Sequence, residues 1–326
     1  MISPRLSALA LTASLTLTLA ACTSGGGAGA SSNSGSNSGD PASTSGSGKG
    51  AESPADTALT SDAYQVELDA VGVPVGAALR DIAKARTFKS LSQRVRRAQS
   101  AVDSAAERLG PLHPPAEIDT EHTDYLAALR AMNGKLDELG QAVGDRSLCT
   151  ASSVLARLGK SSEFGGLKEA GADLSGGGDY KGGLIKFTPP KEQNRRLGNG
   201  TILASAIRGG RGSLTVKNGT AGDSVVTLVL GKRKAVSVYV RKRSTAKVTN
   251  IRDGKYRVYY TSGSDYDRAT RGFTRNCVFQ RFDDSLSFTT TYTATQIRWS
   301  TWTLTLQKMI GGNASTSDVS PDDFPA

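Results

Sequence analysis

The side chains that most often carry chemistry are scarce in this sequence. Its 326 residues include two histidines, His113 and His122, with Glu117 and Glu121 close by. A metal site needs several ligands that converge in space. The spacing here matches no ligand motif, and the adjacent Glu121 and His122 would point in different directions on a helix. We therefore expect structural or surface histidines, with metal binding as the alternative, and predict no metal and no cofactor.

Carboxylates are the second group of candidate functional residues, for calcium binding or acid–base catalysis. Asp265-Tyr266-Asp267 and Asp283-Asp284 fall in predicted turns, and three more aspartates lie near the C-terminus. Such loops could supply the roughly six to eight oxygens that calcium takes. The spacing is not that of an EF-hand, however, and aspartate is common in turns because it bonds to the local backbone. Asp265 and Asp267 would act as general acid or base only if buried with a shifted pKa. We predict turn chemistry, no catalytic residue and no enzyme.

Two basic triplets are the third group, and they lie in the more basic half of the chain. Residues 183–326 hold 23 Lys and Arg against 10 Asp and Glu, which hints at a polyanionic partner. The triplets should lie at opposite ends of one strand, roughly 20–25 Å apart at ~3.3 Å per residue. Contact with lipid headgroups or anionic wall polymer is one interpretation, and a solubilising surface that protects strand edges is the other. The triplet residues are Lys232, Arg233 and Lys234, then Arg241, Lys242 and Arg243.

Cys22 closes a short apolar run at the start of the chain. Ala8 to Leu19 is uncharged, has the length of a signal-peptide core, and is shorter than the ~20 residues that span a bilayer. Leu19-Ala20-Ala21-Cys22 resembles a bacterial lipobox. The resemblance implies that Cys22 becomes the N-terminus of the mature protein and carries the acyl chains that anchor it. The alternative is an ordinary secretory signal in which Cys22 is an incidental thiol.

If Cys22 is lipidated, an even number of cysteines remains, namely Cys149 and Cys277. Export to an oxidising compartment would allow a disulfide between them. Such a bond would close a loop of about 128 residues and stabilise the fold by about 4–5 kcal/mol in the chain-entropy model. Two separately buried thiols are the alternative, since buried cysteine is common. The sequence leaves both possibilities open.

Composition divides the chain into six segments. A Gly/Ser-rich stretch with almost nothing to bury follows the signal peptide and is typical of a disordered tether. The remainder is long enough for two domains with cores of their own. The predicted segments are a signal peptide (1–21), a tether (22–60), a helical bundle (61–175), a Gly/Pro-rich connection (176–211), a β-sandwich (212–310) and a C-terminal tail (311–326).

The first folded segment has helical periodicity. Two stripes of apolar residues spaced three and four apart predict two amphipathic helices. We expect an earlier helix over Tyr64–Phe88, bent or broken at Gly72–Pro74, and shorter ones over Ser152–Leu158 and Phe164–Leu174. Asp119 or Thr120 would cap the second amphipathic helix. The stripes are Leu91, Val95, Ala98, Val102, Ala105 and Leu109, then Leu126, Leu129, Met132, Leu136, Leu139 and Val143.

From Gly212 onward the pattern changes to strands. Val225–Leu230 and Ala235–Val240 are rich in β-branched residues and flank a basic loop, which predicts a hairpin. Further apolar runs continue to Leu306, separated by turn signals such as Ser262-Gly263. Seven or eight short strands with regular turns favour an antiparallel β-sandwich. The predicted fold class is α+β, with a small helical bundle followed by this sandwich.

Four stretches carry a resemblance to a known group of proteins. They are Gly212–Thr220, Val238–Val240, Ile251 with Asp253–Arg257, and Gly311–Ala314 with Asp322–Pro325. Together they look like the C-terminal domain of uncharacterised secreted bacterial lipoproteins, especially actinobacterial ones. The Gly254-Lys255-Tyr256 run also looks like transthyretin-like and carboxypeptidase-regulatory sandwiches. The resemblance covers about residues 200–326 and implies a fold and a location, but no activity.

These observations predict a lipid-anchored protein on the outer face of the bacterial cell membrane. It would act as a non-enzymatic binding or structural module of the envelope, with the basic sandwich against anionic wall polymer or lipid headgroups. Nucleic acid is not an expected partner, because the chain is exported. The alternative is a lipoprotein that binds a small ligand or metal at the interface of the two domains, where pockets often form.

Overall fold

The computed structural model describes residues 58–178, 180, 185, 187–307 and 314–325. Within them, five helices precede a region rich in antiparallel strands, so the α+β class is confirmed. The predicted signal peptide, Cys22 and the tether as far as residue 57 lie outside the described residues. No helix of the described part combines the length and apolar character needed to cross a membrane.

The helices form where apolar residues recur three and four positions apart. They span Ser61–Ile82 (α1), Phe88–Leu109 (α2), Asp119–Gly144 (α3), Ala151–Gly159 (α4) and Ser162–Gly178 (α5). Every residue of the two predicted stripes is buried, in α2 and α3 respectively, which confirms both helices. Thr60, Thr87 and Thr150 cap α1, α2 and α4, each accepting a hydrogen bond from a backbone N–H of the first turn.

Two expectations for the helical part are wrong. The first helix, α1, ends at Ile82 and not at Phe88. It is not broken at Gly72–Pro74, because buried Val71, Val75 and Leu79 hold it despite the ~3 kcal/mol cost of an interior proline. Neither Asp119 nor Thr120 caps α3. A 3-10 turn, Ala116–Ile118, leads directly into this helix, so the chain enters it without an extended capping residue.

The described residues include twelve strands. They are β1 Ile202–Ser205, β2 Arg208–Asn218, β3 Asp223–Leu230, β4 Arg233–Val240, β5 Ser244–Ile251, β6 Gly254–Asp267, β7 Gly272–Phe282, β8 Leu286–Phe288, β9 Thr290–Tyr292, β10 Ile297–Trp299, β11 Thr301–Thr305 and β12 Thr316–Asp318. The predicted hairpin is confirmed as β3 and β4, which pair from Leu230–Arg233 to Ser224–Val240. β1 and the start of β2 fall in the stretch expected to be a connection, and β12 falls in the expected tail, because each of these strands has a partner in a sheet.

β6 continues where the sequence predicts a turn. Ser262-Gly263 lies inside this strand, next to an irregularity in its pairing with β7. A Cβ at Gly263 would lie 2.6 Å from Cβ of Phe273 and 2.7 Å from the Arg275 carbonyl oxygen, so glycine permits a close approach of β7. Asp265-Tyr266-Asp267 therefore belongs to a strand and not to a turn.

The strands form two larger sheets. The main sheet has the order β1-β4-β3-β6-β7-β12, with β8 paired to the start of β6. The second sheet has the order β11-β2-β5, in which β11 and β2 are parallel. β9 and β10 form a separate two-stranded ribbon.

One face of the main sheet, here called the inner face, shares an apolar core with the second sheet. Val226, Leu228 and Val238 belong to this core together with Leu214 and Val248 of the second sheet. The opposite side of the main sheet is the outer face. Because side chains alternate along a strand, Val225 and Thr227 of β3 lie on the outer face.

The outer face contacts the helical part. The backbone between α3 and α4 pairs with β7: the Cys149 N–H donates to the Thr274 carbonyl at 2.9 Å, and the Cys277 N–H donates to the Arg146 carbonyl at 2.9 Å. The C-terminal stretch joins the same junction, where Phe324 packs edge-on against Phe279. Helices and main sheet are therefore in direct contact.

Candidate functional site

A cleft with a volume of about 1050 Å³ lies between the helical part and the outer face of the main sheet. We call it the junction cleft. Its floor is formed by β3, β4 and β6, and its walls by the α1–α2 connection, the first residues of α4, the β6–β7 turn and the C-terminal stretch. Elements distant in sequence thus meet around one cavity.

Three hydroxyl side chains lie on the floor of the junction cleft: Thr227, Ser237 and Thr261. Thr227 and Ser237 face each other across β3 and β4 and share a hydrogen bond of 2.8 Å. Thr261 is only 6 % exposed, and its Oγ1 is itself buried and has no hydrogen-bond partner among the described residues. An unpaired buried hydroxyl costs about 1–3 kcal/mol, and the Ser224 hydroxyl of β3, which does not line the cleft, is in the same position.

The sequence carries a signal for this floor that none of the predicted sites includes. Thr227 and Ser237 are single polar residues inside the apolar runs of β3 and β4, which are buried along almost their whole length. A polar residue in a strand covered on both faces needs a partner. Only the pairing of the strands shows that these hydroxyls meet.

Apolar side chains form much of the wall. Phe88 and Leu91 come from α2, and Phe273 and Phe279 come from β7. Phe88 and Phe279 pack edge to face with their ring centroids 5.8 Å apart. A ligand in the cleft would therefore meet apolar surface beside the polar floor, as is usual for small-molecule sites.

Cationic side chains complete the lining. Arg86, Lys234, Arg268 and Arg271 line the cleft, and none of the four forms an ion pair with any described residue. Burial and the nearby Arg271 lower the pKa of Lys234. Three of these residues belong to no predicted site, and Lys234 belongs to the first basic triplet.

The two basic triplets lie at opposite ends of β4. Lys232 and Arg233 are exposed at the β3–β4 turn, while Lys234 reaches the junction cleft. At the other end, Lys242 and Arg243 are exposed. Arg241 is partly buried and donates from Nε to the Leu197 carbonyl at 2.8 Å. The six residues do not converge on one site.

Asp265 forms a structural ion pair. Arg195 donates to both of its oxygens, from Nε to Oδ1 at 2.9 Å and from Nη2 to Oδ2 at 2.8 Å, and Thr274 donates at 2.7 Å. Burial alone would raise the pKa of Asp265, but these hydrogen bonds outweigh it and hold the pKa well below its ordinary value. Asp267 lies 3.1 Å from Nη1 of the same arginine. Both carboxylates hold Arg195 in place, and a permanently charged Asp265 does not suit proton transfer.

Asp223 forms a second, similar pair, which the sequence did not suggest. Arg196 donates to both carboxylate oxygens at 2.7 and 2.6 Å, and Tyr239 donates from its hydroxyl. Burial raises the pKa of Asp223, but the hydrogen bonds from Arg196, Tyr239 and the Lys242 backbone lower it further, to about 2. Arg195 and Arg196 thus bind the segment before β1 to the main sheet.

The remaining predicted candidates are structural or lie apart from the cleft. His122 is buried in α3, where its Nδ1 lies 2.8 Å from the Tyr64 hydroxyl and burial lowers its pKa. Cys149 and Cys277 form a disulfide bond between the helical part and β7. In the described residues, no three His, Cys, Asp or Glu side chains converge in a way that could hold a metal ion. Cys22 lies outside the described residues.

The groups that face the cleft are hydroxyl, guanidinium and ammonium groups beside aromatic rings. This chemistry suits recognition by hydrogen bonds and charge. No family model, no curated protein and no solved structure matches the chain.

Proposed function

We propose that this protein is a ligand-binding protein of the bacterial cell envelope, whose junction cleft takes up a small polar ligand. The observation that carries the proposal is the junction cleft itself, whose lining combines hydroxyl groups, aromatic rings and cations beside one cavity of about 1050 Å³. The proposal develops the second of the two functions that the sequence predicts, because the cleft lies where the helical and β parts meet.

The cellular location in this proposal rests on the sequence. Lipidation at Cys22 would anchor the chain to the outer face of the membrane, and residues 22–60 would form the tether. Replacing Cys22 by serine should release the protein from membranes, and a lipid-sized mass on the N-terminal peptide of the wild type should disappear. Membrane retention of the C22S variant would contradict the anchor.

The finer architecture in this proposal is a helical bundle followed by a β-sandwich. Two observations support it. The main and second sheets share one apolar core, and the helices have a separate core of their own. The junction cleft would then be an interface between two domains, a preferred position for ligand sites.

Thermal unfolding of the full-length protein tests ligand binding. A panel of neutral sugars, polyols, amino acids, nucleosides and their phosphate esters would be added one by one, since a ligand at 100 times its Kd adds about 2.7 kcal/mol. We expect at least one compound to raise Tm in the wild type but not in the Phe279→Ala variant, which loses a ring from the cleft wall. A shift that is the same in both proteins would place binding elsewhere and contradict the proposal.

Contact with anionic polymer or lipid is a second candidate function. The observation in its favour is that Lys232, Arg233, Lys242 and Arg243 are exposed, at two ends of one strand. Binding to anionic vesicles or wall preparations should then decrease steeply as salt increases. Replacing these four residues by glutamine should abolish it, whereas binding that does not depend on salt would contradict this function.

A further inference from the structure

The β9–β10 ribbon carries an exposed apolar face. Tyr292 lies opposite Ile297 in this antiparallel pair, and Trp299 follows two positions after Ile297, so the three side chains share one face. They are 67 %, 41 % and 50 % exposed, and every residue from Thr291 to Trp299 is exposed. The ribbon therefore projects from the folded body with two rings and an aliphatic side chain open to solvent.

The tip of this ribbon is uncharged and bonded to itself. The Thr293 N–H donates to the Gln296 carbonyl at 2.9 Å, and the Gln296 N–H donates to the Thr293 hydroxyl at 3.0 Å. From Ser285 to Ile297 the sequence contains no charged side chain. Such a tip suits the interface between lipid headgroups and acyl chains, where tyrosine and tryptophan are enriched because their rings are apolar with one polar group.

Cations surround the base of the ribbon. Arg298 belongs to β10, and Arg252 and Lys255 flank Asp253 in the β5–β6 turn. The Asp253 carboxylate accepts from the Thr290 N–H at 2.7 Å and so joins this turn to the ribbon. The three cations are exposed, and none of them forms an ion pair with a described residue. Three cations beside one carboxylate leave the base of the ribbon positively charged.

The first basic triplet lies at the same end of the main sheet. Leu230, beside the β3–β4 turn, pairs with Tyr256, and a Cβ at Gly254 would lie 3.0 Å from a Leu230 methyl carbon. The β3–β4 and β5–β6 turns are therefore neighbours, and exposed Lys232 and Arg233 extend the positive surface. The second triplet lies at the opposite end of β4, away from this surface.

We infer that the β9–β10 ribbon docks the protein onto an anionic lipid surface. Tyr292, Ile297 and Trp299 enter the interface between headgroups and acyl chains, while the cations at the base contact lipid phosphates. An anionic bilayer offers both the apolar layer and the negative charge that this end of the molecule matches. The inference rests on the second candidate function, contact with anionic lipid, and restricts that contact to one end of β4. It does not depend on a ligand in the junction cleft.

Tryptophan fluorescence tests the inference because the chain has two tryptophans, Trp299 and Trp302. Trp302→Phe leaves Trp299 as the sole emitter, and Cys22→Ser in the same full-length chain removes the proposed acyl anchor. Phosphatidylglycerol vesicles with brominated acyl chains quench a ring that reaches the acyl boundary. We expect them to quench Trp299 about twofold more than brominated phosphatidylcholine vesicles do, and added salt should reduce this difference.

A matched pair of isoleucines locates the apolar contact. Ile297→Ser should weaken binding to phosphatidylglycerol vesicles about fivefold, because it removes apolar surface from the interface. The control is Ile202→Ser, which changes an isoleucine of the same 41 % exposure on β1, at the edge of the main sheet. This control should leave vesicle binding unchanged.

A matched pair of double variants locates the charge contact. Lys255→Gln with Arg298→Gln should weaken vesicle binding about tenfold, since each cation near an anionic surface contributes to the attraction. Lys242→Gln with Arg243→Gln removes the same number of charges from the opposite end of β4 and should leave binding unchanged.

The outcomes separate the inference from the function on which it rests. Salt-dependent vesicle binding that leaves Trp299 unquenched, or equal losses in the two isoleucine variants, would overturn the inference and leave the second candidate function intact. No binding to anionic vesicles would contradict both. A change in Trp299 emission caused by a wall polysaccharide preparation and not by vesicles would assign the face to a sugar polymer and overturn the inference. Self-association without lipid that Ile297→Ser abolishes, measured by light scattering, would assign it to a second copy and overturn it as well.

Discussion

The two faces of the main sheet use the same strands but different chemistry. On the inner face, side chains such as Val226, Leu228 and Val238 share one apolar core with the second sheet. On the outer face, Thr227, Ser237 and Thr261 lie beside a cavity of about 1050 Å³. The inner face therefore serves stability, whereas the outer face borders a cleft lined by cations that form no ion pair with described residues. The proposed ligand site thus lies on the outer face.

The largest expected effect comes from breaking the link between the outer face and the helices. The disulfide Cys149–Cys277 spans 128 residues of sequence, so the double Cys→Ala variant should lose about 4–5 kcal/mol of unfolding free energy in the chain-entropy model. Urea denaturation measures the loss. Ligand binding should decrease as well, because Cys149 lies in the cleft wall. A variant as stable as the wild type would show that the junction does not depend on this bond.

Truncating a ring on each face measures the difference in packing. Phe288 is 1 % exposed and packs edge-on against Tyr256 in the core between the sheets, so Phe288→Ala should cost about 3–5 kcal/mol. Phe279 is only partly buried on the outer face and lines the cleft. Phe279→Ala should cost about half as much and weaken ligand binding. Equal losses of unfolding free energy in the two variants, measured by urea denaturation, would contradict the difference in packing between the two faces.

Acid should weaken the ion pairs that bind the segment before β1 to the main sheet. The pKa of Asp223 is about 2 in the folded protein, below the value of about 3.9 for an unfolded chain. Its contribution is therefore fully present above about pH 4 and is lost as pH decreases toward 2, by about 2 kcal/mol in total. Urea denaturation at a series of pH values should show this decrease. Asp223→Asn should be less stable at pH 7 and should show a smaller decrease, and an unchanged pH profile would contradict the assignment.

The smallest expected changes in unfolding free energy have opposite signs at two hydroxyls of the same face, those of Thr227 and Thr261. Thr227→Val leaves Ser237 without its partner and should cost about 1–3 kcal/mol. Thr261→Val removes a buried hydroxyl that has no partner among the described residues and should raise the unfolding free energy by about 1 kcal/mol. The same chemical change thus has opposite effects on Tm. A loss of stability in both variants would mean that Thr261 has a role in the fold itself.

Local pattern was sufficient for most of the secondary structure and insufficient for the site. The stripes of α2 and α3 were predictable residue by residue, because helical periodicity acts over a few positions. The turn predicted at Ser262-Gly263 was wrong, since glycine serves there for the close approach of β7, a contact that only the folded chain creates. Asp265, which was predicted in a turn, instead forms a buried ion pair with Arg195, 70 positions away in the sequence.

By itself, the sequence determined the α+β class, the positions of the main helices and strands, and the basic character of the second half. These follow from periodicity and composition, which are local properties of the chain. Tertiary structure alone decided that α4, β3, β6 and the C-terminal stretch meet around one cleft, that Lys234 and Arg271 both line it, and that the Thr261 hydroxyl has no partner among the described residues. Whether a hydroxyl is paired or a charge is balanced depends on strand pairing and on the packing of distant elements, and neither is encoded in the spacing of residues along the chain.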